Sequence, residues 1–427
     1  MGAHADLYER HQAVLPGWAP LYYEQPIAIV DGDGRWVIDA EGNRYLDFFG
    51  GILVTMTGYK VPEVVEAIKA QADKMLHTST LYLIESQIEL AEKVAELSGI
   101  PDAKVFFTNS GTEANDAALM LATTYKRSNQ VLALRGSYHG KSHSAIAVTG
   151  QKAWSGTSFS PFQVTYVHGG YKLRSPFGHL PDDEFIAACV SDLRDLLGVA
   201  AAGSPAVMIA EPIQGVGGFV TPPDGFFKAM KEVLDKNGIL FIADEVQTGW
   251  GRTGEHFWGY QAHDIVPDLL TFAKGLGNGL SIGGVVAPAE IMESYPALGI
   301  STFGGNPLAT AGALANLEYL LDNDLQTNAL KVGNRLMQNL VPLSEELEVI
   351  GEVRGKGLMI GVELVNGDGS PSPEAAAAVL EAAREEGLLI GKGGLYGNSL
   401  RLAPPLSITE QEADDGFARL ERALRGT

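Results

Sequence analysis

Cysteine is almost absent from this sequence of 427 residues, which holds only Cys189. A single cysteine excludes a disulfide within the chain and argues against a metal site built on thiolates, so we expect no metal. Long hydrophobic runs are also missing. No stretch of about 18 apolar residues is present, and residues 1–9 lack the basic and then apolar pattern of a signal peptide. We therefore expect no membrane-spanning segment.

Positive charge is scarce as well. The chain has 31 Lys and Arg residues against 52 Asp and Glu residues, which gives a formal net charge of −21. Nucleic acids and acidic lipid headgroups repel a surface of this kind. We therefore expect neither as a partner, and we expect a cytoplasmic enzyme. A small anionic ligand is still compatible with this charge, because one local site can oppose the overall balance.

The length of the chain exceeds what a single hydrophobic core usually supports, so we expect a larger and a smaller domain. Residues 1–60 are predicted to form an amino-terminal arm that packs with the small domain. Residues 61–320 are predicted to form the large domain, and residues 321–427 the small one.

Short apolar runs alternate with helical segments in the middle of the chain, which is typical of buried parallel strands in an α/β sheet. The predicted strands are 104–107, 131–134, 206–209, 239–243 and 269–272. Outside this region we predict strands at 27–30 and 36–39 around a turn at 31–34, and further strands at 357–364 and 388–391. Apolar spacing predicts helices at 61–75 and 84–97, amphipathic helices from about 310 and a last helix at 409–424.

A polar or glycine-rich segment follows each of the five central strands. These segments are 108–114, 135–140, 211–215, 244–249 and 273–275. In open parallel sheets, ligands bind beyond the carboxyl ends of the strands. We therefore expect the five segments to form one site.

Three of these segments have a direct chemical interpretation. Ser110, Gly111 and Thr112 open a predicted helix whose first N–H groups can hold a phosphate, although the same pattern also serves as an ordinary helix cap. Asp244 ends an apolar run, so its carboxylate needs a cationic partner, either a protonated pyridine nitrogen or a basic side chain. Lys274 stands among apolar and glycine residues, where a desolvated amine suits Schiff-base chemistry; the alternative is a lysine at the surface.

Four further residues have weaker interpretations. Tyr138 can stack on a flat ring or be a core aromatic. We expect His139 to support the site or the fold rather than to react. Glu211 and Gln247 can hydrogen-bond around a ring oxygen or simply belong to turns.

Taken together, these segments resemble the class III pyridoxal-phosphate-dependent aminotransferases over nearly the whole chain. The matching segments are 107–115 (FTNSGTEAN), 137–140 (SYHG), 211–215 (EPIQG), 243–249 (ADEVQTG), 273–275 (AKG), 302–307 (TFGGNP), 353–359 (VRGKGLM) and 400–406 (LRLAPPL). The resemblance implies an α/β protein with the type I fold of pyridoxal-phosphate-dependent transferases. In that fold a large domain with a mostly parallel seven-stranded sheet is joined to a smaller α+β domain.

The resemblance also implies roles for individual residues with the cofactor pyridoxal 5'-phosphate. Lys274 would hold it as a Schiff base and then move protons, and Asp244 would keep its pyridine nitrogen protonated. Gln247 would bond the ring hydroxyl, with Glu211 beside it. Tyr138 and Val246 would cover the two ring faces, and Ser110, Gly111 and Thr112 would bind the phosphate.

The family further implies a homodimer with shared active sites, in which Thr302 reaches the phosphate bound by the partner subunit. Whether two dimers form a tetramer stays open. Arg401 would bind a substrate carboxylate through a bidentate pair. Ile52 and Tyr82 lie near positions that line the substrate pocket in relatives.

Three positions narrow the reaction. Val216 stands where 4-aminobutyrate and ornithine aminotransferases have a glutamate that pairs with the arginine. Ile52 replaces the glutamine of dialkylglycine decarboxylases, and Gln247 replaces the methionine of glutamate semialdehyde aminomutases. The sequence is most similar to the mitochondrial-type alanine–glyoxylate aminotransferases and their bacterial relatives.

We therefore predict ping-pong transfer of an amino group from alanine, β-alanine or another ω-amino acid to a small 2-oxo acid such as pyruvate or glyoxylate. The alternatives are an aminotransferase of the 4-aminobutyrate/2-oxoglutarate type, a decarboxylase or aminomutase with the same cofactor, or a binding protein without catalysis.

Overall fold

The computed structural model describes residues 3–200 and 203–426. Its strands form one sheet of seven strands and two sheets of four. In chain order the strands are β1 (Ile29–Asp33), β2 (Trp36–Asp39), β3 (Arg44–Asp47), β4 (Ala103–Thr108), β5 (Gln130–Leu134), β6 (Gln163–Val167), β7 (Val207–Ala210), β8 (Leu240–Asp244), β9 (Leu269–Phe272), β10 (Gly283–Pro288), β11 (Ile350–Lys356), β12 (Met359–Leu364), β13 (Leu388–Leu389), β14 (Gly391–Gly393) and β15 (Ser399–Leu402).

The helices cover the sheets and connect their strands. In chain order they are α1 (Ala3–Val14), α2 (Gly50–Leu53), α3 (Pro62–Lys74), α4 (Glu85–Leu97), α5 (Gly111–Lys126), α6 (His143–Ala147), α7 (Asp182–Asp195), α8 (Phe226–Lys236), α9 (Ala289–Met292), α10 (Pro307–Asp322), α11 (Leu325–Glu346), α12 (Pro373–Glu385) and α13 (Glu410–Arg425). No helix among the described residues is long and apolar enough to cross a membrane.

The seven-stranded sheet has the order β4-β10-β9-β8-β7-β5-β6. Neighbouring strands from β9 to β6 pair in parallel, whereas β10 is antiparallel to both β4 and β9. The sheet is therefore mostly parallel, as expected. All five predicted central strands are present, and no bound differs from its prediction by more than one residue.

Two strands of this sheet were not predicted, and each has a physical reason. β6 lies at the edge of the sheet and has only its last residue fully buried, so it lacks a continuous apolar run. β10 begins with Gly283 and Gly284 and ends at Pro288. Glycine and proline are poor strand formers, and they hide the short apolar run between them.

Both faces of the central sheet are buried. Along β7, Met208 and Ala210 belong to one apolar cluster, and Val207 and Ile209 belong to a second cluster on the opposite face. Successive side chains of a strand point to opposite faces, so a strand covered on both sides is apolar throughout. This burial explains why the central strands were visible in the sequence.

Some predicted bounds outside the central sheet are wrong. The strand predicted at 27–30 is β1 at Ile29–Asp33, because the hairpin turns at Gly34, whose φ of +57° lies in the left-handed region. The strand predicted at 357–364 begins only at Met359. The run predicted at 388–391 is divided between two sheets, since β13 pairs with β3 and β14 pairs with β15.

The amino-terminal and carboxyl-terminal parts of the chain meet in the small sheets. β1, β2 and β3 form an antiparallel set that is extended by β13 in parallel. The other small sheet, β11-β12-β15-β14, is antiparallel. An ion pair of 2.9 Å between Arg35 and Glu412 adds to this contact. The domain limits at residues 60 and 320 stay a prediction.

Candidate active site

A cavity of about 500 Å³ lies at the carboxyl edge of the central sheet, where the five predicted segments converge. Most of the residues proposed from the sequence line it. They are Ile52, Ser110, Gly111, Thr112, Tyr138, Glu211, Asp244, Val246, Gln247, Lys274 and Arg401. Thr302 and Tyr82 do not line it. Among the described residues, no group of three or more His, Cys, Asp or Glu side chains is placed to hold a metal ion.

The amino terminus of α5 opens onto this cavity. The Ser110 hydroxyl caps the helix by accepting a hydrogen bond of 3.2 Å from the backbone N–H of Glu113. The first N–H groups of a helix have no partner within it and carry partial positive charge, which favours an anion. A Cβ on Gly111 would come within 3.0 Å of Val246, so glycine here lets the loop after β8 approach the helix.

Asp244, at the end of β8, is buried and held by three donors. Its Oδ2 accepts hydrogen bonds from Asn115 at 2.8 Å and from Nδ1 of His139 at 2.7 Å, and its Oδ1 accepts one of 3.1 Å from the backbone N–H of Val246. Asn115 in turn accepts a bond from the Thr271 hydroxyl at 2.7 Å. The carboxylate is therefore fixed in place, and His139 has the supporting position expected from the sequence.

Sequence reasoning gave Asn115 no role. The sequence does contain a sign of its importance. Asn115 is a polar residue about one turn after the helix cap, in a helix whose other buried residues are alanine and leucine. Buried polar groups are nearly always hydrogen-bonded, so such a residue indicates a network.

Lys274 follows β9 and begins a short 3₁₀ segment, Lys274–Gly277. Its φ of +44° lies in the left-handed region, where a residue with a side chain is strained and persists only because its surroundings hold it. Burial lowers the pKa of the Lys274 amine to about 8, although the carboxylates of Asp244 and Glu211 act in the opposite direction. Lys274 is thus a cavity lysine with a weakly basic amine, and the surface alternative is wrong.

Glu211 joins two loops of the site. One carboxylate oxygen accepts a hydrogen bond of 3.0 Å from the backbone N–H of Tyr138, and the other accepts one of 2.9 Å from that of Gly215. Burial raises the pKa of Glu211 to about 7, with the charge of His139 opposing the shift and that of Asp244 adding to it. The ring of Tyr138 packs edge-on against Trp154, with 5.4 Å between ring centroids.

Gln247 has a buried amide oxygen with no hydrogen-bond partner among the described residues. An unpaired polar atom at this depth costs roughly 1–3 kcal/mol. Gln247 lines the cavity, so a ligand bound there can donate the missing hydrogen bond to this oxygen.

Arg401 projects from β15 into the same cavity and is buried. It donates to the carbonyl oxygens of Lys392 at 3.0 Å and Gly215 at 3.5 Å, and its guanidinium lies 4.9 Å from the ring centroid of Phe49. Nε is buried without a partner, and no ion pair joins Arg401 to a carboxylate of the described chain. Burial lowers its pKa. The guanidinium lines the cavity without a carboxylate beside it, so an acid that enters the cavity can pair with it.

The three other predicted substrate and partner residues differ from one another. Ile52 lines the cavity with a φ of +67°. Tyr82 is 70% exposed and lies in a groove outside the cavity, beside α3 and α4. Thr302 is exposed in the loop before α10. Their predicted roles stay predictions.

Comparison with known families identifies the chain. Residues 19–424 match the family model described as aminotransferase class-III. The chain belongs to the class III aminotransferases. A relative of this class III aminotransferase is alanine–glyoxylate aminotransferase 2 homolog 2, mitochondrial, of Arabidopsis thaliana. It is 42% identical over 97% of this chain and 86% of the relative.

Solved structures agree with this assignment. A thermostable (S)-enantioselective omega-transaminase from Thermomicrobium roseum superposes on this class III aminotransferase with a TM-score of 0.91 and 35% identity, over 100% of this chain and 99% of the other. An amine transaminase from an uncultivated Pseudomonas species, in its PLP-bound form, gives a TM-score of 0.89 and 31% identity, over 94% and 95% of the two chains. The expected type I fold is confirmed.

This class III aminotransferase takes pyridoxal 5'-phosphate as its cofactor, and its own residues fit that group. The cavity combines a helix amino terminus, a fixed buried carboxylate, a lysine of lowered pKa and the unpaired amide oxygen of Gln247. These are the partners that a phosphate, a pyridinium, an aldehyde and a ring hydroxyl require.

Proposed function

We propose that this class III aminotransferase moves an amino group from alanine, β-alanine or another ω-amino acid to a small 2-oxo acid such as pyruvate or glyoxylate. The observation that carries the proposal is the guanidinium of Arg401, which faces the cavity of Lys274 and has no carboxylate partner among the described side chains. A buried cation of this kind has a favourable partner when an acid enters.

The roles of the cofactor-binding residues follow from the contacts described above. Ser110, Gly111 and Thr112 would hold the phosphate at the start of α5, and Asp244 would hold the pyridine nitrogen. The bound cofactor supplies an electron sink for the substrate. Asp244 would support that role by stabilising a positive charge on the ring nitrogen.

The two faces and the edge of the ring would be held by side chains from different strands. Tyr138 and Val246 would cover the faces, and Gln247 would bond the ring hydroxyl, with Glu211 beside it. Glu211 holds the backbone of Tyr138 at 3.0 Å, so it also fixes the loop that carries the stacking ring.

Lys274 would move the proton. With a pKa of about 8, its amine is uncharged in a useful fraction of molecules near neutral pH. It can therefore take the proton from the substrate carbon that bears the amino group. In the second half of the reaction it can give a proton to the corresponding carbon of the product. General acid–base groups work best when their pKa is near the working pH.

Arg401 would fix the substrate by its carboxylate, and Val216 leaves the guanidinium free for that pairing. Val216 also lines the cavity and brings no negative charge toward the arginine. Because no protein carboxylate competes, both the amino acid donor and the 2-oxo acid acceptor can pair with Arg401 in turn. This alternation is what a ping-pong reaction requires.

We also propose a homodimer with shared active sites, in which Thr302 contacts the phosphate bound by the partner subunit. Large apolar side chains are exposed around this loop and before α4, including Leu83 at 93%, Tyr82 at 70% and Phe303 at 60%. Exposed apolar groups in one region are typical of a protein–protein interface. A tetramer stays an alternative. A cytoplasmic location also stays a prediction, since the Arabidopsis relative is named as mitochondrial.

A panel of amino donors, tested against pyruvate, glyoxylate and 2-oxoglutarate, examines the substrate proposal. We expect turnover of alanine, β-alanine or longer ω-amino acids with pyruvate or glyoxylate. Turnover restricted to 2-oxoglutarate would favour the 4-aminobutyrate type. Release of CO₂, or transfer within one molecule, would instead identify a decarboxylase or an aminomutase.

A further inference from the structure

Tyr22, in the segment between α1 and β1, contacts the backbone of a residue 370 positions later in the chain. Its hydroxyl donates a hydrogen bond to the carbonyl oxygen of Lys392 and accepts one from the N–H of the same residue, both at 3.1 Å. Lys392 is the middle residue of β14, which pairs with the strand of Arg401. The early part of the chain is therefore tied to the edge of the active site.

Arg401 uses the same carbonyl group. Its Nη2 donates to the oxygen of Lys392 at 3.0 Å, so one backbone oxygen receives both the tyrosine hydroxyl and the guanidinium. A carbonyl oxygen has two lone pairs, and the two donors can occupy both. Movement of Tyr22 would therefore change the acceptor that holds Arg401.

A second path joins the same two side chains through Phe49. The Tyr22 ring is stacked on that of Phe49, with centroids 6.0 Å apart and an angle of 21° between the planes. Arg401 lies over the Phe49 ring at 4.9 Å. Phe49 thus contacts both, so the guanidinium is held by a ring face as well as by the shared carbonyl.

The glycines of β14 make room for this arrangement. A Cβ on Gly391 would lie 2.1 Å from the ring of Phe49, and a Cβ on Gly393 would lie 2.9 Å from Nε of Arg401. Larger residues at either position would push the ring or the guanidinium away. β14 therefore serves as a flat support for both groups.

We propose that Tyr22 is a positioning residue that fixes Arg401 for substrate carboxylates and so favours acids over neutral molecules of the same shape. The inference rests on the proposed function, because it assigns Arg401 to carboxylate binding. A long side chain loses conformational freedom when it binds a ligand. When the protein orders that side chain beforehand, this cost no longer weakens the binding of the acid.

The test measures binding of propionate and of propionamide, its neutral analogue, to the cofactor-loaded protein by calorimetry. Tyr22→Phe keeps the stacked ring and removes only the hydroxyl. We expect propionate to bind about three- to tenfold more weakly to this variant, as the loss of a hydrogen-bonded support implies, with propionamide unchanged. Phe49→Leu, which removes the ring face but leaves the hydroxyl contact, should shift propionate binding in the same direction.

Tyr8→Phe in α1 is the matched control, since that tyrosine is partly exposed and does not line the cavity. Its affinities should equal those of the wild type. The inference is overturned if Tyr22→Phe binds propionate as tightly as the wild type, or if both ligands weaken equally. It is also overturned if the wild type does not prefer propionate. Failure of the proposed function would appear separately, as absent turnover with every oxo acid, because this binding test needs no turnover.

Discussion

Nδ1 of His139 lies 2.7 Å from Oδ2 of Asp244, and both side chains are buried. The other ring nitrogen of His139 has no hydrogen-bond partner among the described residues. Nδ1 is the donor in this contact, because an ionised carboxylate can only accept hydrogen bonds. His139 therefore helps to hold the carboxylate of Asp244 in the position proposed for binding the cofactor ring.

His139→Leu removes this donor and leaves Asp244 with Asn115 and the Val246 backbone. Hydrogen bonds to charged groups are worth about 1.5–3 kcal/mol, so we expect the dissociation constant of pyridoxal phosphate to rise roughly tenfold or more. Equilibrium titration of the apoenzyme measures it. His179→Leu, at an exposed histidine, serves as control. An unchanged constant in His139→Leu would show that Asp244 does not need this partner.

Lys274→Ala should abolish the visible absorption of the lysine-bound cofactor and lower the rate of amino transfer by about 10²–10⁴-fold or more, the range associated with loss of a general acid–base group. Absorption spectra and steady-state rates check both effects. Lys69→Ala, at a lysine paired with Glu66 on the surface of α3, should behave like the wild type. Full activity in Lys274→Ala would contradict the assignment of this residue.

The reaction of the apoenzyme with pyridoxal phosphate should depend on pH through Lys274. Because the pKa of this amine is about 8, the rate should rise about tenfold per pH unit below 8 and level off above it. An ordinary lysine, with a pKa of about 10.4, would give a rate that still rises at pH 9 and 10. Stopped-flow absorbance measures the profile, and the second pattern would argue against a desolvated amine.

The same shift affects stability. The pKa of Lys274 is lower in the folded apoenzyme than in the unfolded chain, so the unfolded chain binds more protons between about pH 8 and 10.5. The contribution of this group to the free energy of unfolding therefore becomes more favourable as pH rises through that window.

Arg354→Met should destabilise the protein. Arg354 is buried, donates to Glu363 at 2.7 Å and to the carbonyl of Gly218 at 3.1 Å, and has Glu352 as a further partner. Removing one partner of a buried pair costs about 3–5 kcal/mol. Urea unfolding should show this loss, whereas Arg335→Met, at an exposed pair with Asp414, should change the midpoint little. Equal midpoints for the two variants would contradict this account.

Leu83→Asp places a charge in the exposed apolar region before α4. If this region is the dimer interface, the variant should shift from a dimer toward a monomer of 45.4 kDa, as read by light scattering after size exclusion. Leu298→Asp, at a fully exposed residue of the loop before α10, tests the other part of the region. A wild type that is monomeric at micromolar concentration would contradict the proposed dimer.

The sequence predicted those parts of the fold in which local patterns and burial agree. The central parallel strands are apolar throughout, since both faces of the sheet are covered, and the residues at their ends carry most of the site. β6 was not predicted because a strand at the sheet edge lacks a continuous apolar run. β10 was not predicted because its glycines weaken the local pattern. The predicted strand at 388–391 was wrong because one apolar run is divided between two sheets, as β13 and β14.

The missing parts of the site are contacts between distant segments. Asn115 belongs to a recognised motif, but its bond to Asp244 depends on how α5 packs beside β8. Trp154 packs against Tyr138 from the segment between α6 and β6, where the sequence has no regular apolar spacing. Tyr22 reaches Lys392 from the other end of the chain. No spacing rule encodes such pairs, because they arise only when the sheets are assembled.

The antiparallel strand β10 has a consequence for synthesis on the ribosome. β4, which leads directly into Ser110 and Gly111, is an edge strand and pairs only with β10 in the described part of the sheet. The nascent chain carries β4 long before residues 283–288 emerge. Until then β4 cannot be joined to the strands that present Asp244 and Lys274. A growing polypeptide should therefore gain the ability to capture its cofactor late, after most of the large sheet has already been translated.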